Sequence, residues 1–109
     1  MARSGAKEQL VEFLERHAFQ PVLRAKDSSV PKGKQDELHD LQDRTKAEIE
    51  RFHNYRTAED VVTNFRRDLH SSKAREVHAR LKALELPTLP DVRDDFEALA
   101  EKLGVKGGS

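Results

Sequence analysis

The sequence predicts an all-α protein, a small bundle of four main helices, and three observations carry that prediction. No segment alternates polar and apolar residues with a period of two, so no strand is expected. Between Lys34 and Leu86 there is neither glycine nor proline, the residues that most often interrupt a helix. Apolar residues recur three and four apart, with capping residues where the stripes begin and breakers where they end. Five segments fit, at about 6–17, 34–53, 58–69, 73–85 and 89–103, one of them expected to be short or peripheral. A short turn is expected near 21–25.

The first segment carries Leu10, Phe13, Leu14, His17 and Ala18 on one face, with Ser4 as its N-cap. Pro21 lacks an N–H and its ring crowds the preceding turn, so a break is expected at Phe19–Gln20. KDSSVPKG, residues 26–33, reads as a loop. The second segment has the stripe Leu38, Leu41, Thr45, Ile49 and Phe52, and Asn54 stops it by tolerating the left-handed conformation. Thr57-Ala-Glu-Asp60 is a capping-box pattern that opens the third, with the stripe Ala58, Val61, Val62, Phe65 and Leu69. Ser71–Ser72 breaks the periodicity, and Ser72 is the expected cap of the fourth segment, whose stripe is Ala74, Val77, Leu81 and Leu84.

Leu86-Pro-Thr-Leu-Pro90 then forms a rigid link, with Thr88 and Asp91 as a further capping pair. The last segment buries Val92, Phe96, Leu99 and Leu103. Gly104 followed by Val105 fits a Schellman stop, Val105 folding back onto Leu99 and Ala100. Residues 1–105 are read as a single helical domain and 106–109 as a flexible tail.

Composition narrows the function. The 109 residues are 36% hydrophobic and 37% charged, against about 25% charged in an average domain. Leu, Ile, Val and Phe still make up about a quarter of the chain, above the ~20% below which chains tend not to fold. Thin amphipathic helices with narrow buried stripes suit this balance. Formal net charge is zero, which removes the simplest argument for a nucleic-acid partner. The chain has no cysteine, hence no disulfide, thiolate metal site or cysteine nucleophile. No apolar run is long enough to span a membrane and MARSGAKEQ has no signal-peptide core, so a cytoplasmic location is expected.

Charge is nonetheless uneven. Residues 66–84 balance to +4 and residues 85–103 to −4, and the two neighbouring blocks are expected to neutralise each other. Pairs one turn apart, Glu12–Arg16, Asp40–Arg44 and Glu76–Arg80, add local support.

The stretch 57–84 resembles a helix-turn-helix in outline. Arg66, Arg67, Lys73, Arg75 and Arg80 are then the phosphate contacts of a nucleic-acid-binding alternative. A recognition helix needs long donors on its outward face. Here the outward face holds Ala79 and Ala83, flanked by Arg75, Arg80 and Lys82. That pattern favours a protein partner or a second copy of the chain over nucleic acid, unless residues 19–25 cover the alanines.

Chemistry is sparse. Glu50-Arg-Phe-His53 is a Glu-x-x-His pair of the type used in carboxylate-bridged metal bundles, which need two such pairs. Asp36, His39, Asp40 and Asp43 form a solvated acidic patch near a helix start. Asp68 and His70 lie two apart and point in different directions on a helix, so they form no triad with Ser71. His17, inside the first stripe, is expected at the core edge, where burial lowers a histidine's pKa. No cofactor is implied. The expectation is a non-enzymatic helical module for self-association or protein–protein contact.

Overall fold

A computed structural model describes residues 5–106; Ser4, the expected N-cap, and residues 107–109 of the expected tail lie outside the described residues. Within that range the chain forms α1 (Ala6–Leu14), a π-helical turn (Glu15–Phe19), α2 (Gln20–Arg24) and a short 3-10 turn (Asp27–Ser29). There follow α3 (Gln35–Asn54), α4 (Ala58–His70), α5 (Ser72–Ala83), a 3-10 turn (Pro90–Val92) and α6 (Arg93–Lys102). The architecture is all-α, with no strand among the described residues. Helices are more numerous than the four expected: all five periodic segments are helical, and the turn near 21–25 is itself the short helix α2.

Proline explains that difference. Pro21 has no N–H to give the carbonyl four residues back, and its ring needs room there. The chain keeps its helical course by widening the preceding turn, so that the Gln20 N–H donates to the Glu15 carbonyl, five residues back. A wider turn advances each residue less around the axis. Counting on from Leu14, Ala18 and Phe19 therefore take the inward positions and are buried, while His17 lags behind and lies exposed, its ring 4.7 Å from that of Phe13. The expected place of His17 at the core edge is corrected by this one inserted register shift.

The other boundaries follow local chemistry. The Thr57 hydroxyl caps α4 by accepting from the Asp60 N–H at 3.1 Å. Ser71, not Ser72, caps α5, accepting from the Ala74 N–H at 3.0 Å. Asn54 remains helical and Tyr55 leaves α3 in an extended conformation, so no left-handed residue ends that helix. At Thr88 the backbone N–H and the hydroxyl both donate to Asp91 Oδ2 at 3.0 Å, fixing the entry to α6. α6 ends in the expected Schellman motif: Gly104 has φ +73°, its N–H donates to the Glu101 carbonyl, and Val105 folds back to the Ala100 carbonyl at 2.9 Å.

α5 ends in the same motif without the glycine. Glu85 has φ 60°, its N–H donates to the Lys82 carbonyl, and Leu86 donates to the Leu81 carbonyl. A side chain in that conformation costs about 1 kcal/mol or more, which glycine avoids. Glu85→Gly is expected to raise stability by about 0.5–1 kcal/mol, read as a shifted urea midpoint with unchanged slope. An unaltered or lowered midpoint would refute the account of this cap.

Two hydrophobic clusters hold the helices. The larger joins Leu10, Val11 and Leu14 of α1, Phe19, Phe52 of α3, Val61, Val62 and Phe65 of α4, and Phe96 and Ala100 of α6. The smaller joins Val22, Val30, Leu38, Leu41, Leu81 and Leu84. The twenty-residue α3 is long enough, about 30 Å, to reach both, sending Phe52 into one and Leu38 and Leu41 into the other. Gln42 secures α2 to α3: its amide donates to the Val22 and Ala25 carbonyls at 3.1 Å, the first of which also accepts from the Ala25 N–H at the end of the short helix.

Candidate functional site

A cleft of about 370 Å³ lies between the two clusters. Phe19, Val22, Ala74, Val77, Leu81 and Leu89 give it apolar walls, contributed by both clusters and by α5. Thr45, Glu48, Arg51, Asp68, Lys73 and His78 supply its polar lining. The π-helical turn forms one side, because the register shift at Ala18 and Phe19 aims those side chains inward.

Arg51 organises the polar part. Its Nε donates to Glu48 Oε2 at 2.9 Å and its Nη1 to the Tyr55 hydroxyl at 2.9 Å. Nη2 donates to Glu48 and, across to α4, to Asp68. The guanidinium also lies 5.0 Å from the centroid of the Phe52 ring. Burial opposes its charge, but the carboxylates of Asp68 and Glu48 outweigh burial and hold its pKa above the ordinary arginine value. Asp68 is therefore engaged by Arg51 rather than by His70, and α3 is tied to α4 by a charged pair.

His78 is the second unusual group. Its Nδ1 is buried with no hydrogen-bond partner among the described residues. Burial lowers its pKa, against the opposing pull of Asp68 and Asp91, and keeps the ring neutral at pH 7. The sign for stability follows. The unfolded chain takes up this proton more readily than the folded one, so the cost is absent above the ordinary histidine value of about 6.5. It grows as pH falls below that value toward the depressed one. His78→Leu is expected to gain about 1 kcal/mol at pH 7 by removing an unpaired buried polar atom, and more at pH 5.5. Paired urea titrations at the two pH values check this; a difference independent of pH would exclude titration of His78 as the cause.

The expected partner surface on α5 is only partly free. Arg75, Ala79, Lys82 and Ala83 are exposed. Arg80 is not available: its Nε donates to Glu37 at 3.0 Å and its Nη2 to Asp40 at 2.9 Å, so it bonds to α3 rather than to Glu76 as the spacing implied. Those contacts, first that with Arg80 and then that with Arg44, hold the Asp40 carboxyl below its ordinary pKa. Residues 19–25, the alternative cover for the alanines, leave Ala79 and Ala83 exposed: Val22 of α2 packs with Leu81 and Leu84 instead.

The nucleic-acid set is similarly divided. Arg66 makes a two-point contact with Glu97 of α6, at 2.9 and 2.7 Å, which holds Glu97 below its ordinary pKa. Arg80 is bound as described, leaving Arg67, Lys73 and Arg75 exposed. Ser71 alone separates α4 from α5, shorter than the three- or four-residue turn of a helix-turn-helix.

Of the metal pair, Glu50 is exposed, while His53 Nε2 meets Glu15 of the π-helical turn and the Lys7 ammonium donates to the His53 carbonyl at 2.8 Å. Among the described residues no group of three or more His, Asp or Glu stands close enough to hold a metal ion. In the acidic patch, His39 meets Asp27 of the loop at 2.7 Å and Asp40 meets Arg44 at 3.1 Å.

The basic and acidic blocks meet at one ion pair among the described residues, Arg66 of α4 with Glu97 of α6. No ion pair there joins α5 to α6, and the α5 cation that is bound, Arg80, reaches α3 instead. Among the described residues no helix is long and apolar enough to cross a membrane. Comparison with known proteins finds no matching family model, no similar curated protein and no similar solved structure.

Proposed function

We propose that this chain is a non-enzymatic helical module that associates with a second copy of itself through the outward side of α5. One observation carries the reading. α5 has twelve residues and buries only Leu81, whereas α4, of thirteen, buries Ala58, Val61, Val62 and Phe65. A helix this short gains most of its stability from packing rather than propensity. Its outward side, Ala79 and Ala83 between Arg75 and Lys82, leaves room for another backbone to approach closely. Zero net charge lets like copies meet without mutual repulsion. A cytoplasmic location is part of the same proposal: a helical chain without cysteine needs no oxidising compartment in order to fold.

Light scattering over a concentration series tests it. The wild-type chain is expected above its monomer mass of 12.4 kDa, and Ala79→Arg, at an exposed position, is expected to return it to that mass with an unchanged helical circular-dichroism spectrum. A wild-type chain that stays monomeric throughout the series refutes the proposal.

A further inference from the structure

The surface that meets α5 is itself legible, granted the reading of α5 as a self-association surface, on which this inference rests. We propose that the basic outward side of α5 docks against the acidic outward side of α6 of a second copy. On α5, Arg75 and Lys82 lie seven residues apart with Ala79 between them. On α6, Asp94 and Glu101 lie seven residues apart with Ala98 between them. All six residues are exposed.

Seven residues are two helical turns, about 10.5 Å, so the two pairs of charges have the same spacing and opposite sign. The alanine stands four residues after the first charge in both helices. It therefore sits at the same height and on the same side, where small side chains allow helix axes to approach to about 8 Å.

These charges are not satisfied within the chain. Arg75, Lys82 and Glu101 make no ion pair among the described residues, and Asp94 meets only its neighbour Arg93, at 3.2 Å. Two other cations of the basic block, Arg66 and Arg80, are bound to carboxylates of α6 and α3, while Arg67 and Lys73 are exposed. Among the charges left over on α5 and on α6, Arg75 with Lys82 and Asp94 with Glu101 form the matched set, the long Arg and Lys stems able to lie across the partner's alanine. Charge complementarity of this kind sets register and partner choice as well as encounter rate.

Charge reversal tests the pairing. Arg75→Glu with Lys82→Glu is one variant and Asp94→Lys with Glu101→Lys the other. Each alone is expected to run at monomer mass in light scattering, and an equimolar mixture is expected to recover association, because each reversed side finds its complement. Glu101→Lys alone, at the far end of α6 where it leaves the first turn intact, is expected to weaken association about tenfold, a change of about 1.4 kcal/mol. If Ala79→Arg disperses the wild-type oligomer but the α6 reversals leave it intact, α6 is not the docking surface while the role of α5 stands. Failure of the mixture to recover association likewise overturns the α5–α6 pairing. A wild-type chain that is monomeric overturns both.

Discussion

Phe65→Ala is expected to destabilise the fold by about 3–5 kcal/mol, the largest effect of any single truncation considered. Phe65 is fully buried, and its ring stacks on that of Phe96 with centroids 4.0 Å apart and planes tilted by 24°. The pair joins α4 to α6, and Phe13 of α1 closes on the same ring of Phe96 at 6.1 Å. Truncation removes the transfer energy of a whole aromatic ring, opens a cavity the neighbours refill only in part, and abolishes the aromatic contact. A domain of this size holds only about 5–15 kcal/mol in total. The variant is therefore expected at the edge of folding at 25 °C, with a thermal midpoint lowered by well over 10 °C. Phe13→Ala, at a half-buried position on the same cluster, is expected to cost clearly less. Equal losses from the two, or a loss near 1 kcal/mol for Phe65, would mean that α4 and α6 do not share this core.

That core was largely readable from spacing alone. Leu38, Leu41, Thr45 and Phe52 on α3, and Val61, Val62 and Phe65 on α4, are buried as their three- and four-residue spacing implies. What spacing does not encode is a change of helical register. His17 leaves the face its spacing implies because the segment ahead of Pro21 widens and each residue there advances less around the axis. The division of the core into two clusters was also hidden, since a stripe shows which residues turn inward but not which neighbour they meet.

The same limit applies to the site. Leu81 and Leu84 are buried, whereas Ala74 and Val77 of the same stripe stay half-buried along the cleft that Leu81 also lines. His78, one residue past Val77, carries no sequence signal beyond lying beside that stripe. Its unpaired nitrogen is a consequence of what α3, α4 and the 87–89 link do around it. Ion pairs were legible only where the helix itself supplies the geometry. Glu12–Arg16 and Asp40–Arg44 form as their four-residue spacing implies. Arg80 had Glu76 at that distance too, yet two carboxylates of α3 together outcompete one on its own helix.

Arg51→Ala is the second large expected effect, a loss of about 2 kcal/mol. Removing one partner of a fully buried pair costs about 3–5 kcal/mol, and the lower figure allows for solvent, since the Arg51 side chain retains 37% of its exposure. The substitution leaves Glu48 and Asp68 without their common cation, Asp68 at only 15% exposure, and deprives the Tyr55 hydroxyl of its donor. The loss is expected to be cooperative. Asp68→Asn should cost much less in the Arg51→Ala background than in the wild type, because the first change already breaks the contact, and a double-mutant cycle should return a coupling of about 1–2 kcal/mol. Additive losses would mean that Arg51 acts through packing on Phe52 alone. The same cluster gives a physical reason why the two hydrophobic clusters do not merge. Closing the cleft would strip water from Glu48, Arg51 and Asp68 at several kcal/mol per ion, more than the few small apolar side chains along α5 return by burial. The charged floor thus keeps the inner side of α5 from packing fully, leaving that helix held by Leu81, the half-buried Val77 and the Arg80 contacts with α3.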